Sequence, residues 1–190
     1  STMEDMGMVE LLVTRTEEII RDTEKKTGKH AAESIGNNLK KEITEKRSLN
    51  PKFYDSMGTL LIRLLEDHKK GAIEYKDFLD GVVELAKKIR GGERPRPQPI
   101  NTPRLKALYD NAPVPRRHAE RFPEQFALIM DRKCAGMQAG FNDPVSTRYR
   151  EAFVLIREGM EELAGEFDLD INEEMIETVF NLAVQHYGRS

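Results

Sequence analysis

Apolar residues recur along this chain at intervals of three and four, the spacing that places side chains on one face of an α-helix. Two such stripes precede residue 50: Val9, Leu12, Val13, Thr16 and Ile20, and then Ala32, Ile35, Leu39 and Ile43. The sequence contains no convincing alternation of apolar and polar residues and no internal repeat. The pattern predicts an all-α fold, a multi-helix bundle of about seven or eight helices in two packed lobes.

The clearest pair of helices is predicted over residues 51–90. Asn50 suits an N-cap because its side-chain oxygen can accept a hydrogen bond from a first-turn amide, and Pro51 suits the first helical position. Gly71 follows two lysines and suits the end of the first helix. The apolar faces are Phe53, Met57, Leu60, Leu61 and Leu64, and then Tyr75, Phe78, Leu79, Val82, Ala86 and Ile89. We expect an antiparallel helical hairpin.

The segment "GGERPRPQPINTPR", residues 91–104, interrupts the helical period with four prolines and two glycines. Such a composition is typical of an extended linker, which would separate an N-terminal helical lobe, residues 1–90, from a C-terminal lobe, residues 105–190. In the second lobe the sequence predicts a short helix around "PRLKALYDN" and a longer one after Pro123. Asp143-Pro144 and Asn172 are predicted to open the last two helices.

Charge is distributed unevenly along the chain, although the net charge is only −3. Residues 101–150 contain nine Lys or Arg and five Asp or Glu, a net of +4, whereas residues 151–190 contain two and ten, a net of −8. A partner surface is one interpretation, but mutual neutralisation within the fold is favoured. Six arginines around the linker are candidates for contacts with phosphate or a partner, with solvated charge favoured: Arg94, Arg96, Arg104, Arg116, Arg117 and Arg121.

The sequence indicates no catalytic, cofactor-binding or metal-binding residue. The phosphate-loop pattern is absent. "DLDINEE" offers three calcium-type oxygen ligands, but Glu173 stands where that loop needs glycine and Val179 where it needs glutamate. The single cysteine, Cys134, excludes an internal disulfide, and a half-buried helical thiol is favoured over a nucleophile. The chain has no apolar run of the roughly 20 residues that a membrane span needs.

Three segments, in order, resemble the C-terminal region of the restriction (R, HsdR) subunit of type I restriction–modification enzymes. They are "AESIGNNLKKEITEKRSLNPKFYDSM", "LIRLLEDHKKGAIEYKDFLDGVVELAKKI" and "LKALYDN". The matching residues are Asn37, Asn38, Asn50, Pro51, Phe53, Tyr54, Tyr75, Leu79, Leu85, Ala86, Lys87, Ala107, Leu108 and Tyr109. The likeness covers residues 31–111 and is looser beyond them.

The resemblance implies that this chain is a fragment of one subunit of a cytoplasmic enzyme complex. In that family the R subunit is an ATP-dependent DNA translocase and endonuclease, and its helical C-terminal domain docks on the methyltransferase and specificity subunits. The ATP and Mg²⁺ of such a parent protein would be bound outside this chain, which would not itself be an enzyme. DNA would be reached through the complex, with at most weak direct contact, and no membrane would be involved. The alternatives are a helical module that contacts DNA near the motor and a freestanding helical adaptor.

Overall fold

The computed structural model describes residues 31–91, 95–136 and 147–188. Within these ranges the fold is all-α, with seven α-helices and no strand, and the prediction of a multi-helix bundle is confirmed. The helices are α1 (Ala31–Lys46), α2 (Pro51–Lys69), α3 (Tyr75–Gly91), α4 (Pro103–Asp110), α5 (Phe122–Ala135), α6 (Thr147–Phe167) and α7 (Glu173–Tyr187), and a 3₁₀ turn, Arg47–Leu49, follows α1. The stripe before residue 30 and the Asp143-Pro144 helix start lie outside the described residues.

The described residues form two compact units. The first contains residues 31–47, 53–91 and Pro95, and the second contains residues 48–52, 96–136 and 147–188. The boundary between Pro95 and Arg96 falls inside residues 91–104. Ser48–Lys52 belongs to the second unit although its neighbours on both sides in the sequence belong to the first. The hydrophobic pattern did not anticipate this assignment.

The core of the first unit is built from the apolar stripes of α1, α2 and α3. The His68 ring stacks on Phe78 with 4.2 Å between centroids, and the backbone of Gly81 lies against the Leu64 side chain. Position 68 meets 78 and position 64 meets 81, so α2 and α3 run antiparallel. Gly71 follows α2 with a φ of +69°, a conformation that glycine adopts without steric cost.

The core of the second unit joins α4, α5, α6 and α7. Its largest fully buried side chains are Leu108, Phe122, Phe126, Met130, Ile156, Met160, Phe167 and Ile176. The predicted cap of the last helix is confirmed, because the Asn172 side chain accepts from the Met175 amide at 2.9 Å. Thr102, which was not predicted as a cap, does the same for α4 by accepting from Leu105 N at 3.2 Å.

Two glycines of α6 allow the close packing of α5 on α6 to be tested. A Cβ on buried Gly159 would lie 2.7 Å from the Met130 side chain and 3.3 Å from that of Ile129, whereas one on exposed Gly165 would meet nothing within 4 Å. We expect Gly165→Ala to raise the free energy of unfolding by about 0.5–1 kcal/mol, the helix-propensity gain. Gly159→Ala should give a smaller gain or a loss, measured by thermal denaturation. Equal gains at both positions would contradict the close packing.

Candidate functional site: a polar clasp and the basic residues

The last residue of α4, Asp110, forms a two-pronged ion pair with Arg96. Arg96 Nε lies 2.9 Å from Asp110 Oδ1, and Nη2 also donates to Oδ2. The two side chains are 11% and 16% exposed. A guanidinium fork matches a carboxylate in this geometry, and the pairing offsets the free-energy cost of burying both charges. The pair fixes Arg96, which lies within the segment predicted as a linker, against the end of α4.

Asn50 and Asn111 extend this pair into a network. Asn50 Nδ2 donates to Asp110 Oδ2 at 2.8 Å, and Asn50 Oδ1 accepts from Asn111 Nδ2 at 2.7 Å. Asn111 Oδ1 accepts from the backbone amide of Lys52 at 3.1 Å. We call Arg96, Asp110, Asn111, Asn50 and the Lys52 amide the polar clasp. It lies within the second unit and fixes Ser48–Lys52 there.

The start of α2 has an acceptor that the sequence did not indicate, because Asn111 Oδ1 accepts from the Lys52 amide. The expectation that Asn50 caps a first-turn amide of α2 stays a prediction. Sequence reasoning missed Asp110 and Asn111 although they end the "LKALYDN" segment. Two polar residues at the end of an apolar-periodic helix were the available signal, but spacing alone does not say which distant group they bind.

A second polar cluster lies between α4, α5 and α7. Arg104 Nε is 2.9 Å from Asp131 Oδ1, and the Tyr187 hydroxyl donates to the same oxygen. The Arg104 guanidinium also lies 5.5 Å from the centre of the Tyr187 ring. Burial, followed by the hydrogen bond to Asp131, raises the pKa of Tyr187 far above its ordinary value. Tyr187 is therefore a neutral hydrogen-bond donor at any physiological pH.

Cys134 is 1% exposed, more deeply buried than the half-buried position predicted for it. Burial, and secondarily the Asp131 charge, raises the pKa of the thiol to about 12. A nucleophile or a metal ligand requires the thiolate, which is disfavoured here.

His186, in α7, also binds the Ser48–Lys52 segment. Its Nε2 lies 2.7 Å from the carbonyl oxygen of Leu49. Because a carbonyl only accepts, Nε2 carries the proton. Burial, and to a smaller extent the charge of Arg104, lowers the pKa of His186, while the Leu49 bond opposes that shift. His186 is thus neutral near pH 7.

The structure pairs most of the predicted contact arginines with carboxylates of the same unit. Arg94 lies outside the described residues, and Arg96 and Arg104 are paired as above. Arg116 Nη2 is 2.5 Å from Asp170 Oδ2, and Arg121 Nη2 is 3.1 Å from Glu166 Oε1. Arg117 is exposed, and its guanidinium has no carboxylate partner among the described residues.

Ion pairs join the basic middle of the chain to its acidic end, as the favoured interpretation of the charge pattern predicts. They are Arg116 with Asp168 and Asp170, Arg121 with Glu166, and Arg132 and Lys133 with Glu162. The hydrogen bond from Lys133 is the main cause that lowers the pKa of Glu162. Of the carboxylates in "DLDINEE", Asp168 and Asp170 face Arg116, and Glu173 pairs with Arg157 at 2.6 Å. In the described ranges no group of three or more His, Cys, Asp or Glu could hold a metal ion.

Comparison of the chain with protein-family models, with curated proteins and with solved structures found no match in any of the three. Across the described helices, none has the length and apolarity to cross a bilayer. The arrangements above are hydrogen bonds and ion pairs that hold segments of the chain together.

The clasp predicts an asymmetry between two isosteric substitutions. Asp110→Asn leaves the largely buried Arg96 without a counter-charge, so we expect a loss of about 2 kcal/mol or more in the free energy of unfolding. Asp170→Asn removes one of the two carboxylates that pair with Arg116, but Asp170 is 74% exposed and should contribute little. Urea denaturation of both variants measures the difference. Similar losses would contradict the clasp.

The environment of His186 predicts a pH dependence of stability. Its pKa is lower in the folded state than the ordinary value of about 6.5, so the unfolded chain binds more protons in that interval. The contribution of His186 is complete above pH 6.5 and is lost as the pH falls through the lower folded-state pKa. In His186→Gln, which keeps an amide donor for Leu49, the free energy of unfolding between pH 8 and 5 should fall less steeply. Parallel curves for the two proteins would refute this assignment.

Proposed function

We propose that this chain is the helical C-terminal domain of the R subunit of a type I restriction–modification enzyme. Its role is to assemble the R subunit with the methyltransferase and specificity subunits in the cytoplasm. Nuclease and ATP-driven motor activities, with their Mg²⁺, belong to other domains of the parent protein.

The observation that carries the proposal is the polar clasp. The resemblance rests on short motifs, each weak alone, and two of them contain Asn50 and the Asp110-Asn111 pair. These residues are hydrogen-bonded to each other. A physical bond between motifs so far apart in sequence gives a reason for them to occur together, which a chance resemblance lacks.

The charge pairing favours assembly over direct binding of DNA. A phosphate that approached Arg96, Arg104, Arg116 or Arg121 would compete with a carboxylate already in place. A protein partner that presents both donors and acceptors can bind a mixed surface of this kind without breaking those pairs.

The DNA-contacting module is the second candidate, and the exposed Arg117 is the observation in its favour. One unpaired guanidinium neutralises about one phosphate, so the logarithm of the affinity would fall with the logarithm of salt concentration with a slope near −0.9. Such weak binding of DNA could contribute to function only when other parts of a larger complex also bind the DNA.

Two binding measurements separate the candidates. The purified protein should be retained by the cognate methyltransferase–specificity core at low salt and should bind duplex DNA feebly in a filter assay under the same conditions. Absence of binding to the core even at low salt would reject the assembly role. Tight DNA binding with a steep salt slope would favour the DNA-contacting module instead.

A further inference from the structure

We infer that the loop joining α4 to α5, residues 111–121, is a preformed docking element for a protein partner. The tip of this α4–α5 loop, Val114, would enter an apolar pocket of the partner, and Arg117 would meet a carboxylate at the rim of that pocket. The inference rests on the proposed function, because the partner it names is the methyltransferase–specificity core.

Val114 is the most exposed large apolar side chain in the described part of the protein, at 79%. Two residues close to it in the sequence are buried, since Ala112 belongs to the core and Pro115 is also buried. Prolines at 113 and 115 fix their own φ angles, and a residue that precedes proline is restricted to extended conformations. Val114 is therefore held outward by the backbone between two anchored positions.

Backbone hydrogen bonds fix the loop after Val114. The Arg116 amide donates to Asp168 O at 3.3 Å, and the Arg117 amide donates to Phe167 O at 3.0 Å, both at the end of α6. His118 has a φ of 55°, which is uncommon for a residue other than glycine and persists where surrounding contacts enforce it. Those contacts include its carbonyl, which accepts from the amides of Arg121 and Phe122 at 3.0 and 3.2 Å.

Rigidity distinguishes this residue from the isolated apolar side chains that occur on every protein surface. A loop already in its bound conformation loses little conformational entropy on binding, so the contact of one side chain contributes more of its energy to affinity. Energetically important interface residues are typically anchors of this kind inserted into pockets.

The charges around the tip define the complementary surface. Asp170 and Glu166 neutralise Arg116 and Arg121, so the charges of the loop without an ion pair in the described residues are Arg117, three positions after Val114, and Glu120 near the far end of the loop. A pocket bordered by one carboxylate complements an apolar tip with one positive charge. Binding of DNA would depend on the charge of Arg117 and would be almost unaffected by a change at Val114.

The test compares binding of the wild-type protein and four variants to the methyltransferase–specificity core by titration calorimetry. Val114→Asp should weaken binding about tenfold or more, Arg117→Glu should weaken it severalfold, and Val114→Ile should bind within about twofold of wild type. Val154→Asp is the matched control, because Val154 is 55% exposed on α6 of the same unit. Thermal denaturation verifies that each variant is folded.

The outcomes distinguish failure of the docking loop from failure of the assembly role. If the wild type and Val114→Asp bind the core equally, or if Val154→Asp weakens binding as much as Val114→Asp, the docking loop is wrong while the assembly role stands. If the wild-type protein does not bind the core at all, the assembly role fails and the docking loop fails with it.

Discussion

The carboxylate of Asp110 binds a guanidinium and a side-chain amide from two other parts of the chain, and the organisation of the second unit depends on it. A carboxylate that is only 16% exposed needs hydrogen-bond partners for its oxygens, and Arg96 and Asn50 supply them. The same contacts hold Ser48–Lys52 and the residues before α4. Asn111 adds the acceptor that the start of α2 needs, so one network satisfies both a buried charge and a helix terminus.

The other buried polar groups are likewise neutral or bound to a partner within the chain. Tyr187 and Cys134 are kept neutral by burial, His186 is neutral near pH 7, and Asp131 is occupied by Arg104 and Tyr187. In the second unit, the carboxylates of Glu162, Glu166 and Asp170 pair with Lys133, Arg121 and Arg116. Polar chemistry of this kind holds a scaffold in shape, which accords with the proposed assembly role.

Local features of this fold could be predicted from sequence because they depend on near neighbours along the chain. The stripe of Ala32, Ile35, Leu39 and Ile43 is buried, and Asn172 caps α7, as the periodicity and capping rules indicate. The partners of polar residues were not predictable in this way. Nothing near Asn111 in the sequence identifies Lys52 as its donor, and nothing near Val114 indicates that Pro115 is buried while Val114 is exposed. The charge imbalance could be recognised from sequence, but the particular pairs depend on tertiary packing.

Amide hydrogen exchange at Lys52 tests the central claim, that the polar clasp fixes Ser48–Lys52, most directly. The first amides of a helix have no partner within the helix and ordinarily exchange fast. The clasp predicts that the Lys52 amide is protected in the wild-type protein and that its protection is lost in Asn111→Ala, while amides in the middle of α2 keep theirs. A Lys52 amide that exchanges at the unprotected rate in the wild type would contradict the account.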